Sequence, residues 1–295
     1  MLRVYLDQNK WIDLSRAVHG RAGGERHADV LDLLRFATQQ GLVSLPLSMS
    51  HYFEKWKRGD PQSRQRLGTV MCELSMLYTI AGPATVTPHE IDMACHLIAG
   101  RPFQRPVLQV FGRGVGHACG TTPVGYTPPE GLDPALAWQL RQIGTEVMER
   151  VALITPPFQL PVRGIARPTD EFGERYAESE RASRERLEEE GFSNNVVRRF
   201  VFASELTDIV EALVKTLNRS GLALTDVMHD EESAASFLEA MPSRWATAHL
   251  RRVAFQNRSN KWDAHDLNDM AYLSIAFMYC DIVVTERKWA NYVAA

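Results

Sequence analysis

Hydrophobic and polar positions alternate over residues 2–6, and the alternation ends at Asp7. A period of two is typical of a β-strand. From Trp11 onward the hydrophobic residues recur at helical spacing, so the pattern predicts a strand, a turn and then a helix. A helix over about 26–40 and a strand over 42–47 extend the series. Strands separated by helices predict an α/β fold with a parallel sheet.

The periodic pattern continues to about residue 99. After the second predicted strand, serine residues offer N-caps for a helix that carries Glu54. A further helix is predicted over 64–77. Residues 84–88, with three β-branched residues at 85–87, then predict a short strand, which leads into a helix over 90–99.

The organisation changes near residue 100, and from there glycine and proline accumulate up to about residue 168. The glycine run at 112–116 lacks the spacing of a phosphate-binding turn, so we interpret it as a loop. The charge-dense stretch 170–190 is interpreted as a solvated helix or a mobile arm. Helices are predicted over residues 134–153, 195–217, 231–239 and 245–255.

These elements predict a discontinuous domain organisation. Residues 1–99 and 244–295 are predicted to form an α/β core, and residues 100–243 a mainly helical insertion. A chain of 295 residues with 45% hydrophobic content can bury a substantial core. The sequence therefore predicts a globular protein.

The charge composition is close to balanced. The chain has 33 Lys+Arg against 36 Asp+Glu, which gives a formal net charge of −3. This balance excludes a strongly basic protein that coats nucleic acid. Any contact with RNA or DNA is therefore expected to be local.

The sequence also indicates the compartment. Charged residues from Asp7 onward interrupt the apolar segment that a signal peptide needs. The longest apolar stretch, near 271–280, is shorter than the roughly 20 residues that span a bilayer, so no membrane association is expected. The four cysteines are scattered and form no C-x-x-C pair. We therefore expect a reduced, cytoplasmic protein.

Acidic residues near both ends of the chain are the most informative feature. Asp7 follows the first predicted strand, Asp266 and Asp269 lie one turn apart on a predicted helix, and Glu286 follows the strand at 282–284. Acids that converge at one sheet edge can bind a divalent metal ion. The alternative is local, because Asp7 and Asp266 can each cap a helix and Asp269 can interact with the helix dipole.

Three segments together resemble the PIN-domain nucleases. Residues 4–9, which read Val-Tyr-Leu-Asp-Gln-Asn, resemble the opening strand of that family and its first acid. Residues 45–48 leading to Glu54 are similar to the second strand and the helix that bears the second acid. Asp269 resembles the third acid, and residues 282–286 resemble the strand that ends in Thr and a final acid. The order of the segments agrees as well.

The resemblance covers about the first 100 and the last 50 residues, and the central insertion has no counterpart in the compact bacterial toxins of the family. It implies a PIN-like parallel sheet flanked by helices and a Mg²⁺- or Mn²⁺-dependent ribonuclease. Members commonly place Asp two positions after the Thr, where this chain has Arg287, whereas Glu286 comes one position earlier. Asp266 and Asp281 are therefore alternatives for the fourth ligand.

The resemblance also implies roles for individual residues. Asp7 and Asp269 are the expected central metal ligands, and Glu54 and Glu286 are expected to hold water or a second ion. Carboxylate oxygens are hard ligands suited to Mg²⁺, and a bound ion lowers the pKa of its water. Asn9 and Thr285 can orient the scissile phosphate or a ligand carboxylate, although structural roles suit both residues equally well.

Because acids repel a polyanion, nearby cations must attract the substrate. Lys10 and Lys288 are expected to contact the phosphate backbone, although solvated surface charge is the simpler interpretation of each. Trp11, Trp262 and Trp289 can stack on bases, but a core position is the commoner role for tryptophan. Further candidate cations are Arg251, Arg252, Arg258, Lys261 and Arg287.

Three other functions fit the sequence less well. A haloacid-dehalogenase-type phosphatase needs a second Asp where this chain has Asn9. A transition-metal site at His117 and Cys119, or at His89, Cys95 and His96, lacks further paired ligands. The strongest alternative is a catalytically silent PIN-like module that binds nucleic acid or protein.

The expected partners follow from the nuclease hypothesis. RNA is the expected substrate, and a toxin or defence effector would need an inhibitory protein partner. The insertion could cap the site, select structured RNA or mediate homo-oligomerisation, and the sequence favours none of these three roles.

Overall fold

Three short parallel strands from the two ends of the chain form one sheet in the computed structural model, which describes residues 1–103, 106–121, 125–155, 171–189 and 191–295. Helices fill most of the remaining described sequence. The α-helices and β-strands, in chain order, are β1 (Leu2–Leu6), α1 (Gln8–Val18), α2 (Ala28–Gln39), β2 (Val43–Ser44), α3 (Met49–Lys57), α4 (Pro61–Ser75), β3 (Tyr78–Ile80), α5 (Pro83–Ile98), β4 (Phe111–Arg113), α6 (Gly114–Cys119), α7 (Pro134–Ile154), α8 (Glu171–Glu189), α9 (Asn194–Ser220), α10 (Glu231–Glu239), α11 (Pro242–Gln256), α12 (Asp266–Tyr279), β5 (Ile282–Val284) and α13 (Arg287–Val293).

The described residues fall into two compact units. The first comprises Met1–Gly82, Val110–Pro168 and Cys280–Glu286. The second comprises Pro83–Gln109, Thr169–Tyr279 and Arg287–Ala295.

The first unit contains the parallel sheet, in the order β2-β1-β5. Strand β1 is central, with Leu2 paired to Val43 on one side and Val4 paired to Ile282 on the other. The last three residues of β1 are buried, as expected for a strand covered on both faces. The predicted α/β class with a parallel sheet is confirmed, whereas the PIN-like architecture stays a prediction.

A second, antiparallel sheet in the first unit corrects the loop predicted at residues 112–116. Strand β4 pairs with β3, and α6 follows directly. Gly114 makes this turn possible with a φ of +84°. A Cβ at Gly114 would lie 2.2 Å from Oε1 of Glu149, whose other carboxylate oxygen accepts a hydrogen bond from Val115 N at 2.7 Å. The glycine run therefore serves close packing, which local spacing did not indicate.

The second unit is helical in its described part. Its core joins α5, α9 and α10, where residues such as Ile91, Leu213 and Phe237 are buried against one another. The strand predicted at 84–88 is wrong, because these residues lie in α5. Val86, Ile91 and Ala94 are buried at helical spacing, and this tertiary packing outweighs the β propensity of the local run.

The unit boundaries differ from the predicted domain boundaries. Strand β4 and helices α6 and α7 belong to the unit with the sheet, although they lie in the predicted insertion. Helices α5 and α12 belong to the second unit, although they lie in the predicted core. The pairing of β4 with β3 joins segments that are distant in sequence. Helices predicted at 134–153, 195–217, 231–239 and 245–255 are present as α7, α9, α10 and α11.

Among the described helices, none combines the length and the apolar character that crossing a bilayer requires.

Candidate active site at the sheet edge

The carboxyl ends of β1 and β5 place three polar side chains together in the first unit. Asp7 follows β1, and Thr285 and Glu286 follow β5. The backbone N–H of Asp7 donates to the carbonyl of Val284 at 2.9 Å, which continues the parallel pairing to the end of both strands. Because parallel strands end at the same sheet edge, residues distant in sequence meet here.

Asp7 accepts a hydrogen bond on each carboxylate oxygen. Thr285 Oγ1 donates to Asp7 Oδ2 at 2.9 Å, and Gln8 N donates to Asp7 Oδ1 at 2.7 Å. Asp7 is thus the N-cap residue of α1, as the local alternative predicted, and also lies beside the neighbouring strand. An ionised carboxylate has about four acceptor positions, so these two bonds leave lone pairs for a cation.

The second acid at this edge is Glu286. Asn9 Nδ2 donates to Glu286 Oε1, so the first turn of α1 contacts the residue after Thr285. Both side chains belong to exposed residues, which leaves them accessible to a ligand. Four predicted site residues, Asp7, Asn9, Thr285 and Glu286, therefore lie at one edge of the sheet.

Asp281, an alternative for the fourth ligand, lies at the opposite end of β5. Its carboxylate accepts from the backbone N–H of Arg3 at 2.7 Å, and its own N–H donates to the Arg3 carbonyl at 2.9 Å. Asp281 therefore joins the amino-terminal ends of the strands. Asp281 is wrongly placed for a ligand beside Asp7, because it precedes β5 while Asp7 follows β1.

His51 on α3 fixes the end of β1 and was missed by the sequence analysis. Its Nδ1 accepts a hydrogen bond from Ser48 N at 2.9 Å, so Nε2 carries the proton and donates to the Leu6 carbonyl at 2.9 Å. Burial lowers the pKa of His51 to about 4, and the negative charge of Asp7 opposes this shift. His51 is therefore a neutral positioning residue near pH 7. The Ser-x-x-His spacing of a capping arrangement was the available signal.

Glu54 lies one turn after His51 on α3 and is half-buried. Burial lowers the pKa of Arg58, and the charge of Glu54 opposes that effect, so the two side chains interact electrostatically. The next residue on α3, Lys55, has a fully buried side chain. Burial lowers the pKa of Lys55 to about 7, and its Nζ forms no hydrogen bond with any described residue. Lys10, a predicted contact of the phosphate backbone, lies on α1 and is half-buried.

The acids of α12 belong to the second unit. Asp266 is buried and accepts from Lys288 Nζ and from the backbone N–H of Asp263 at 3.1 Å. Burial raises the pKa of Asp266, while Lys288 opposes this rise. Asp269 Oδ2 accepts from Trp289 Nε1 at 3.1 Å. One predicted ligand, Asp266, is therefore paired with one predicted substrate-binding residue, Lys288.

Several suggested substrate contacts are structural instead. Trp11, Trp262 and Trp289 are all buried, so none of them presents a face for a base. Arg251 is also buried and forms ion pairs with Glu180 and Glu205. These four side chains are therefore excluded from the predicted nucleic-acid contact.

The donor set at the sheet edge suits a hard divalent ion. Within the ranges that the structure describes, no group of three or more His, Cys, Asp or Glu side chains forms a candidate metal site. Mg²⁺, however, is usually held by one or two carboxylates, with waters and substrate phosphates completing its octahedral shell. Asp7 and Glu286 provide two carboxylates of this kind.

Comparisons with known proteins assign no family to this chain. No protein-family model, curated protein or solved structure matches this chain significantly. The resemblance to PIN-domain nucleases therefore stays a prediction, and the chemistry of the site has to be argued from its own residues.

Proposed function

We propose that this chain is a Mg²⁺- or Mn²⁺-dependent endoribonuclease with PIN-like architecture. The observation that carries the proposal is the hydrogen bond from Thr285 to Asp7, at 2.9 Å, across the carboxyl ends of two parallel strands. It joins two segments 278 residues apart that were expected to meet on the basis of the family resemblance.

The residues at this edge have distinct tasks in the proposal. Asp7 holds the ion, and Thr285 fixes the orientation of its carboxylate. Glu286, held by Asn9, is the acid that positions water. A bound divalent ion would lower the pKa of its water and supply hydroxide near neutral pH. His51 keeps α3 attached to the end of β1 while remaining uncharged itself.

RNA is proposed as the substrate on the basis of the resemblance. A nuclease of this type that acts as a toxin or defence effector needs restraint, so an inhibitory protein partner is part of the same proposal. Asp269 and Glu54 are proposed as further acids of the reaction, on the same basis.

The first test is a cleavage assay with the purified full-length chain. End-labelled single-stranded RNA is incubated with Mn²⁺, with Mg²⁺ or with excess EDTA, and a DNA strand of the same sequence runs in parallel. We expect internal RNA products with either metal and intact RNA with EDTA. Intact RNA under all three conditions, from protein that is folded by circular dichroism, contradicts the proposal.

A catalytically silent binding module is the second candidate. One observation favours it: Lys288 Nζ already pairs with Asp266, a predicted metal ligand. Such a module would bind RNA in a filter assay equally well with EDTA and with Mn²⁺, and would leave the RNA uncut. The nuclease proposal predicts cleavage in the Mn²⁺ arm.

A further inference from the structure

A basic pocket lies in the first unit, between α1, the loop after it and the segment that joins α3 to α4. The pocket has a volume of about 450 Å³. Five of its lining side chains are basic or can become so, and the only acid among the lining residues is Asp60. The basic pocket is lined by Arg16, His19, Arg21, Arg58 and Arg66.

The carboxylate of Asp60 caps a helix. Its two carboxylate oxygens accept hydrogen bonds from the backbone N–H groups of Gln62 and Ser63, each at 3.0 Å. Asp60 is the N-cap residue of α4, and these bonds satisfy donors that the helix would otherwise leave open. Asp60 is therefore held at the helix start, and one aspartate against four arginines leaves the lining of the pocket with an excess of positive charge.

Nearby acids neutralise the arginines of the basic pocket only in part. Arg58 and Arg16 repel, since the charge of Arg16 adds to burial in lowering the pKa of Arg58, although Glu54 opposes both effects. Arg16 contacts Asp13 at 3.3 Å. Within the described residues, the guanidinium groups of Arg21 and Arg66 form no ion pair or hydrogen bond. Like charges held around a concavity favour a bound anion.

The shape of the basic pocket limits the ligand. Its volume lies within the range of small-molecule sites, and Ile12 and Leu67 add an apolar wall. Planar guanidinium groups bind phosphate oxygens in pairs. The combination of several arginines and an apolar wall suits a phosphate group attached to a ribose and a base better than a bare anion.

We propose that the basic pocket binds the phosphate group of a nucleotide, either free or at the 5′ end of an RNA. No residue of the pocket belongs to the sheet-edge site, so the proposal stands or fails independently of the nuclease assignment. If both are correct, the basic pocket supplies the local cationic contact that the weakly acidic chain needs for RNA.

The test measures direct binding by the full-length chain at low salt and in EDTA, so that no metal-dependent cleavage occurs. Three probes are titrated: adenosine 5′-monophosphate, a short RNA with a 5′-phosphate, and the same RNA with a 5′-hydroxyl. We expect saturable binding of at least one of the two probes that carry a 5′-phosphate. Tighter binding of the phosphorylated RNA than of the free nucleotide assigns the ligand to RNA ends, and tighter binding of the free nucleotide assigns it to free nucleotides. Equal binding shows that the terminal nucleotide alone is sufficient for the pocket.

Variants connect the binding to the basic pocket. Arg66→Gln and Arg21→Gln each remove one charge, and we expect each to weaken binding about tenfold, as for a lost charge-assisted hydrogen bond. Arg199→Gln is the matched control, since Arg199 is exposed and pairs with Glu231 in the second unit. The proposal is overturned if neither adenosine 5′-monophosphate nor the 5′-phosphorylated RNA binds, if the two RNAs bind equally while the nucleotide does not bind, or if both pocket variants bind like the wild type.

Discussion

Replacing Asp7 with asparagine is expected to abolish metal-dependent RNA cleavage while the protein stays folded. The substitution keeps the side chain's shape but removes the charge that would hold a divalent ion. Loss of a residue that merely orients a metal ligand costs about 10–100-fold, so loss of the ligand itself is expected to reduce the cleavage rate on the order of a thousandfold. Initial rates at saturating Mn²⁺ measure the effect.

The matched control is Asp32→Asn on α2, because the Asp32 side chain is 79% exposed and lies outside the site. It should cleave RNA at the wild-type rate. Thr285→Val removes the hydroxyl that donates to Asp7 Oδ2, and we expect an intermediate loss of about 10–100-fold. An Asp7→Asn protein that cleaves as fast as Asp32→Asn would remove Asp7 from the reaction. The same assay on Asp269→Asn tests the predicted role of Asp269.

Replacing Arg251 with leucine is expected to destabilise the protein more than any surface substitution. Arg251 is buried and contacts Glu180 and Glu205, which are both buried as well. Removing one partner of a buried ion pair typically costs about 3–5 kcal/mol, because the remaining charges stay in a poorly solvated place. Urea denaturation followed by circular dichroism measures the change in the free energy of unfolding.

Two further variants separate the ion pairs from simple loss of packing. Arg199→Leu breaks an exposed pair with Glu231 and should change stability by less than about 1 kcal/mol. Adding Glu180→Gln to Arg251→Leu should recover part of the loss, because Glu205 keeps Arg244 as a partner at 2.5 Å. An Arg251→Leu protein as stable as Arg199→Leu would show that the buried charges contribute little.

The strongest sequence signals were confirmed because they reflect local periodicity together with caps. Helix α7 begins with Pro134 after the N-cap Asp133, and α10 begins after the N-cap Asp230, so both helices have clear local starts. The alternation over residues 2–6 likewise placed Asp7 at the end of a strand, and the parallel sheet then follows from the order of elements.

The failures share a non-local cause. Residues 85–87 are β-branched but belong to α5, where burial of Val86 decides the structure. Lys55 follows Glu54 and lies close to Lys57 in the sequence, yet its side chain is fully buried. Each outcome depends on packing against segments that are distant in the chain, which a local pattern does not contain.

In the candidate site, too, local features were predicted from the sequence and contacts between distant segments were not. Asp7 and Glu286 were predicted from strand ends, and their placement at one edge depends on the pairing of β1 with β5. The hydrogen bond between Asn9 and Glu286 was not predicted, although both residues were candidates. The Ser48-x-x-His51 spacing could have indicated the helix cap, but the bond from His51 to a backbone carbonyl of β1 joins segments that are distant in the chain.

Binding of Mn²⁺ to the full-length protein, measured by calorimetric titration, tests most directly whether Asp7 holds a hard divalent cation. We expect the wild type to bind Mn²⁺ saturably, and we expect the metal to raise its Tm, because a ligand that binds only the folded state stabilises that state. Asp7→Asn should bind at least about tenfold more weakly, whereas Asp32→Asn should match the wild type. No binding by the wild type, or equal binding by Asp7→Asn, would contradict the proposed metal site.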